Sequence, residues 1–253
     1  MKNTLLSYIH ADCPFRGSLH WFDSIDSTNT YAKQLAREGA PHGTVVLAGS
    51  QSAGRGRMGR TFSSPEGSGA YLSVILRPAC KPSQLMHLTC AAAVAACDHL
   101  EKLTGIRPGI KWINDLILKG KKLGGILTEM SIDPKTGLVA YAVVGIGVNC
   151  TAVPEEVADM ATCLGCSPAP VFAALVEAFW QLDQNLWKKE SVMTRYRKDC
   201  VTLGKPIQLM GTGQTGTALD VTDEGSLVVA LSDGTQTTVS SGEVSVRGMY
   251  GYV

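Results

Sequence analysis

The chain has 253 residues, 45% apolar and 18% charged, enough for a large core and a small appendage. A formal net charge of +1 excludes bulk electrostatics as a driver of nucleic-acid wrapping or membrane adhesion. From Lys205 onward, however, two basic residues face five acidic ones, which leaves +4 on residues 1–204 and suits an anionic ligand there.

The opening MKNTLLSYIHADCPFRG lacks an apolar run of signal-peptide length. The apolar stretch Leu88–Cys97 is too short to span a bilayer and reads as a buried helix. Eight scattered cysteines, several inside apolar segments, read as reduced thiols of a cytoplasmic protein with no membrane partner. Cys163 and Cys166 are spaced like half a zinc site, but no second pair or histidine at ligand spacing follows.

In chain order, Leu19–Ile25 reads as a strand, followed by a helix over Thr30–Glu38 with Ser27 or Thr28 as N-cap and Gly39 as stop. Thr44–Ala48 is a buried strand, and a glycine- and arginine-rich loop over Gln51–Gly69 leads to another at Tyr71–Leu76. Pro82 opens a long helix through Leu103. Strands follow at Ile110–Trp112, Asp115–Leu118, Gly125–Ile132 and Val139–Val148, then helices at Pro154–Leu164, Val171–Trp187 and Ser191–Cys200.

Composition changes near Gly204, where turn signals at Asp223–Gly225 and Asp233–Gly234 separate five short strands. These are Ile207–Met210, Gly216–Val221, Leu227–Ala230, Gln236–Val239 and Val244–Val246. The class is therefore α+β, with a mixed β-sheet and flanking helices over residues 1–203 and a small β-barrel over residues 204–253.

Chemistry concentrates in four clusters. In Gln51–Arg60, three glycines permit close backbone approach, and Arg55, Arg57 and Arg60 offer fork-shaped donors for phosphate or carboxylate oxygens. It is no Walker A loop, because no Gly-Lys-Ser/Thr ends it and a strand follows. Taken alone it also fits an exposed flexible loop or an arginine-glycine RNA-binding module. Lys111-Trp112-Ile113-Asn114-Asp115 sets a cation, an amide and a carboxylate together, the last able to hold Mg²⁺ or fix basic neighbours. In Lys121–Leu127, Lys121 reads as a solvated turn residue and Lys122 as functional. Gly145–Asn149 ends an apolar strand with two glycines and an amide.

In order and spacing these clusters resemble biotin–protein ligases, from Asp26-Ser27-Thr28-Asn29 through Gly54–Arg60, Lys111–Asp115, Lys122–Leu127 and Gly145–Asn149 to Gly242–Arg247. The resemblance implies a class II synthetase-like biotin/lipoate ligase fold with a C-terminal SH3-like barrel. It implies formation of biotinyl-5′-AMP from biotin and ATP with Mg²⁺, then transfer to a lysine of a biotin carboxyl carrier protein domain. Carried over by position, Ser27, Thr28 and Gln51 bind the ureido ring, and Asn29, Gly54, Arg55, Lys122 and Gly125 complete the biotin side. Arg57, Arg60, Phe62, Lys111, Asn114, Asp115 and Asn149 serve ATP, Asp115 the metal, and Arg57 and Lys122 the catalytic steps.

Two departures stand out. Phe62 replaces a frequent tryptophan near the adenine, and Ile113 replaces the usual proline of Lys-Trp-Pro-Asn-Asp. Nothing before Trp21 is long enough for a helix-turn-helix, so no DNA binding is expected. Family members can pair through sheet edges, which keeps a homodimer open. A lipoate or octanoate ligase shares the fold and chemistry, but the full Gly54–Arg60 run and the C-terminal barrel favour biotin. The RNA-binding alternative leaves Lys111–Asp115 unexplained and lacks interleaved aromatics for base stacking.

Overall fold

The structure is a computed structural model that describes residues 2–210, 212–240 and 245–248. Gly242, Glu243 and Val244 of the C-terminal motif lie outside the described residues. The chain opens with helix α1 (Lys2–Leu6), a 3₁₀ turn over Pro14–Ser18 and strand β1 (Leu19–Phe22). Helix α2 (Thr28–Arg37) and strands β2 (Val45–Ala48) and β3 (Gly69–Leu76) follow. The segment from Pro82 is a 3₁₀ turn through Leu85, after which helix α3 runs Leu88–Thr104. Gly105, at φ 74°, donates its N–H to Glu101 and ends α3 in the left-handed conformation that glycine tolerates.

Strands β4 (Gly109–Lys111), β5 (Asp115–Leu118), β6 (Lys121–Ile132) and β7 (Val139–Asn149) complete one sheet in the order β1-β2-β3-β7-β6-β5-β4. Among the pairs of named strands in this sheet only β1–β2 is parallel, so the sheet is mixed as expected. Alternation along the strands feeds two apolar layers. Val45, Leu47, Leu72 and Val74 join a large core with α3 and helix α4 (Pro168–Asn185). Val46, Ile75 and Val143 pack against Ala32 and Ala36 of α2 on the other side. Five alanines along α3 allow close approach to its neighbours, and the helix buries ten of its residues.

The expected helix over Pro154–Leu164 is absent, with only a 3₁₀ turn at Glu155–Val157. The segment instead pairs with the start of β6, where Lys122 N–H donates to Met160 O at 2.8 Å and Thr162 N–H to Lys122 O at 2.8 Å. Sheet hydrogen bonding has overridden local helix propensity there.

Helix α5 (Lys189–Asp199) precedes the C-terminal unit. That unit contains β8 (Pro206–Met210), β9 (Thr215–Val221), β10 (Leu227–Leu231), β11 (Gln236–Val239) and β12 (Ser245–Gly248). They form an antiparallel sheet in the order β11-β10-β9-β8-β12, the five-strand pattern read from the turn signals. No described helix is long and apolar enough to cross a membrane.

Candidate functional site

Ser27 caps α2 from an extended conformation, its side chain accepting from Thr30 N–H at 3.4 Å. The cap brings Ser27 and Thr28, both buried, to the mouth of the sheet. Gln51 stands beyond the end of β2, bridged to Ile25 on one side and Ser64 on the other. Its Oε1 accepts from Thr28 N–H at 2.9 Å and from Thr28 Oγ1 at 3.2 Å, while its Nε2 donates to Ser64 Oγ at 2.8 Å. The amide is thereby held against the helix cap.

The arginine-glycine segment folds back on itself. Gly56 N–H donates to Arg60 O at 2.7 Å and Phe62 N–H to Gly54 O at 2.9 Å, with a 3₁₀ turn over Arg57–Gly59 between. A Cβ at Gly54 would run into Phe62 O and crowd Ser64 Oγ at 2.8 Å, so this glycine serves the hairpin's closure. Arg57 Nη1 donates to Asn114 Oδ1 at 3.2 Å. Burial pulls the Arg57 guanidinium below its ordinary value, and the charge of Asp115 opposes that shift.

Lys111–Asp115 forms the turn between β4 and β5, with Lys111 and Asp115 as paired positions. The Trp112–Ile113 peptide bond at the substituted proline position is cis. Asn114 Nδ2 donates to Ile126 O at 2.9 Å, and Ile126 N–H returns to Asn114 O at 2.9 Å, tying the turn to β6. From behind, Trp112 N–H donates to Thr202 Oγ1 at 2.8 Å and its indole Nε1 to Gly225 O at 3.0 Å. Tyr196 of α5, completely buried, donates to Ile113 O at 3.2 Å. Lys122 Nζ lies 2.7 Å from Asp115 Oδ1 and 6.0 Å from the centre of the Phe62 ring.

These segments surround one cavity of about 1000 Å³. Of the expected residues, Ser27, Thr28, Asn29, Gln51, Arg55 and Arg57 line it. So do Arg60, Phe62, Lys111, Asn114, Asp115, Lys122 and Gly125. Gly54 and Asn149 are not among the lining residues, and Asn149 Nδ2 is engaged with Thr162 O at 3.0 Å. Lys121, read from sequence as a solvated turn residue, also lines the cavity while its Nζ donates to Ala158 O at 2.8 Å. Sequence reasoning missed Lys119, Asp159, Met160 and Met210. Asp159 and Met160 arrive only because their segment pairs with β6, and Met210 comes from the C-terminal sheet, so no local pattern marks them.

Gly147 has a spacing requirement of its own, since a Cβ there would sit 2.5 Å from the Phe62 ring. Among the described residues, no group of three or more His, Cys, Asp or Glu side chains forms a metal cage. Asp115 supplies one carboxylate, ion-paired with Lys122 at 2.7 Å, so a hard cation here would need most of its oxygen ligands from phosphate and water.

A cationic, glycine-bordered cavity on a mixed sheet with a small β appendage defines an α+β fold built to hold anionic ligands. The chain belongs to the biotin/lipoate A/B protein ligase family, whose model matches residues 21–149. A second model, the biotin protein ligase C-terminal domain, matches residues 202–247. The chain is similar to the bifunctional ligase/repressor BirA of Bacillus subtilis, 43% identical over 150 residues, with 58% of this chain and 46% of that protein covered. It is 31% identical to the biotin–[acetyl-CoA-carboxylase] ligase of Mycobacterium tuberculosis, with 86% of this chain and 85% of that one covered. The biotin protein ligase of Aquifex aeolicus, solved with biotin and ATP, superposes with a TM-score of 0.76 at 28% identity, covering 91% of this chain and 99% of that one. The chain spans less than half the length of the two Bacillus relatives, at 46% and 44%.

Proposed function

We propose that the chain is a biotin–protein ligase that makes biotinyl-5′-AMP from biotin and ATP and passes biotin to a lysine of a carboxyl carrier protein domain. The observation that carries this reading is the convergence in one cavity of two kinds of chemistry. The Thr28–Gln51 pair offers directional neutral donors and acceptors, and Arg57, Lys111, Asn114 and Lys122 offer charged and polar groups for oxyanions. A fused neutral bicycle ending in a carboxylate, met by a nucleotide triphosphate, needs both sets.

A carboxylate oxygen is too poor a leaving group for attack by an amine. The biotin carboxylate therefore attacks the α-phosphorus of ATP, forming the carbon-side O–P bond as pyrophosphate leaves. Both partners are anions, so Arg57 and Lys122 hold them together and offset the charge that grows at the reacting centre. Mg²⁺, bound with the nucleotide, supplies further neutralisation, and Asp115 is the residue that would hold it. The neutral amine of the acceptor lysine then attacks the carbonyl carbon of the anhydride, AMP leaves with the bonding pair, and the nitrogen gives up one proton to solvent to form the amide. Arg55 and Arg60 lie in the same hairpin as Arg57 and help keep the anhydride from water.

The same proposal places the nucleotide-handling unit in residues 1–203 and the C-terminal unit in residues 204–253, with a cytoplasmic site of action. Pyrophosphate–ATP isotope exchange, run separately with biotin, lipoate and octanoate, tests the substrate. Exchange that depends on biotin supports the reading. Exchange with lipoate or octanoate alone moves the chain to the other branch of its family, and no exchange with any acid rejects adenylation.

A further inference from the structure

Both ends of the Asn29 side-chain amide take protein partners. Its Nδ2 donates to Leu127 O at 3.2 Å and to Glu129 Oε2 at 3.0 Å, which uses both amide hydrogens. Its Oδ1 accepts from Ser73 Oγ at 2.6 Å, and that hydroxyl lies 2.8 Å from Thr28 Oγ1. Two acceptors at one end and a hydroxyl at the other fix which way the amide faces. The second oxygen of Glu129 takes Lys33 Nζ at 2.6 Å.

The sequence leaves deliberate room for this arrangement. A Cβ on Gly145 would collide with Asn29 Oδ1 and crowd Ser73 Oγ at 3.1 Å, so β7 passes the network only as glycine. Ser73 is fully buried and Asn29 nearly so, which makes any unpaired polar atom here costly. Burial alone would raise the Glu129 carboxyl, but hydrogen bonds from Lys33 and Asn29 outweigh it and hold the group below its ordinary range. A chain of contacts thus runs from Lys33 through Glu129, Asn29 and Ser73 to the Thr28 hydroxyl, and the Thr28 backbone N–H holds Gln51 Oε1 at 2.9 Å.

We infer that Asn29 and Glu129 are positioning residues: with its amide locked between β6 and β3, Asn29 sets the hydroxyl of Thr28 and the amide of Gln51 without itself hydrogen-bonding the ligand. The inference deepens the proposed function, since it rests on Thr28 and Gln51 holding the ureido ring. It takes the place of the direct biotin contact that resemblance assigns to Asn29.

An exchange of partners tests it. Asn29→Asp sets a carboxylate against Leu127 O and Glu129, and adding Glu129→Gln returns an N–H donor to the pair from the other side. Biotin affinity is read by titration calorimetry and fold integrity by melting, each for wild type, single variants and the double variant. Wild-type binding is expected, with a loss of about tenfold or more in Asn29→Asp and partial recovery in the double variant, where Leu127 O still lacks its donor. If melting recovers but affinity does not, Asn29 meets the ligand directly and the inference falls. Unchanged affinity in Asn29→Asp overturns it equally. A wild-type chain that binds no biotin is a separate failure, sinking the functional reading and this inference with it. Should Asn29→Asp not fold, Ser73→Ala serves instead: weaker biotin binding at unchanged nucleotide binding is expected, and unchanged biotin binding overturns the inference.

Discussion

Arg57 carries its charge into a partly buried place, where the side-chain Oδ1 of Asn114 and the field of Asp115 hold it. Such a donor is useful only if charge grows beside it during the reaction, because there it needs no reorganisation. Arg57→Ala is expected to slow adenylate formation about a hundredfold, ~3 kcal/mol, and single-turnover quenching reads this directly. An unchanged single-turnover rate would remove Arg57 from the chemistry. Lys122 is paired with Asp115 at 2.7 Å, so its truncation also removes one ion-pair partner from that carboxylate. Lys122→Ala is therefore expected to depress biotin transfer far more than melting temperature, measured side by side. Equal losses in both would make Lys122 a structural ion-pair member. Much of this was legible in sequence, because arginine, lysine and amide chemistry sits in contiguous runs such as Gly54–Arg60 and Lys111–Asp115. The partners were not. Glu129 and Ser73 lie 100 and 44 positions from Asn29, and only strand register brings them together.

At the scale of elements, the joint between α4 and α3 turns on a buried histidine. His87 precedes α3, and its Nε2 lies 2.9 Å from Leu186 O just past α4. The carbonyl acceptor assigns the proton to Nε2 in the neutral ring. Burial holds the imidazole below its ordinary value of 6.5, with the nearby charge of Lys189 adding to the shift. In the folded chain the ring stays neutral while the unfolded chain takes up a proton near 6.5, so stability falls as pH drops below that value. Melting from pH 7 down to about 5 is expected to show this loss, and His87→Asn to flatten it. Identical pH slopes for the two chains would contradict the assignment. Element legibility followed the strength of local pattern. Strand runs such as Val139–Val148 and helices with apolar periodicity were placed within a few residues, as were the five C-terminal strands, apart from the start of α3, expected at Pro82 and found at Leu88. Pro154–Leu164 was misread because its hydrogen bonds go to Lys122, an element more than thirty residues earlier, and no local propensity records that.

Across the whole molecule, the C-terminal sheet is tied to the wall of the cavity through the turn between β9 and β10. Gly225 O accepts from the Trp112 indole, while Arg197 of α5 donates to Val221 O at 2.6 Å and to Asp223 at 2.6 Å. Lys189 meets Glu224 at 3.0 Å on the same turn, an exposed pair that adds little by itself. Trp112 belongs to the segment that presents Lys111, Asn114 and Asp115, so the appendage braces that segment from behind. One cooperative melting transition is therefore expected, and Arg197→Met is expected to broaden or split it and to weaken nucleotide binding more than biotin binding. Calorimetric scans and paired titrations measure both, and equal weakening of the two ligands would contradict the brace. This link was invisible in sequence, since it joins a tryptophan to a backbone carbonyl 113 positions away.

The central claim is tested most directly by following one mixture by mass spectrometry: the chain with Mg-ATP and biotin, then a biotin carboxyl carrier domain added. Biotinyl-5′-AMP and pyrophosphate are expected before the addition, and consumption of the adenylate with one lysine of the carrier acylated after it. Failure to form the adenylate, or an adenylate formed with lipoate or octanoate and not with biotin, would contradict the account.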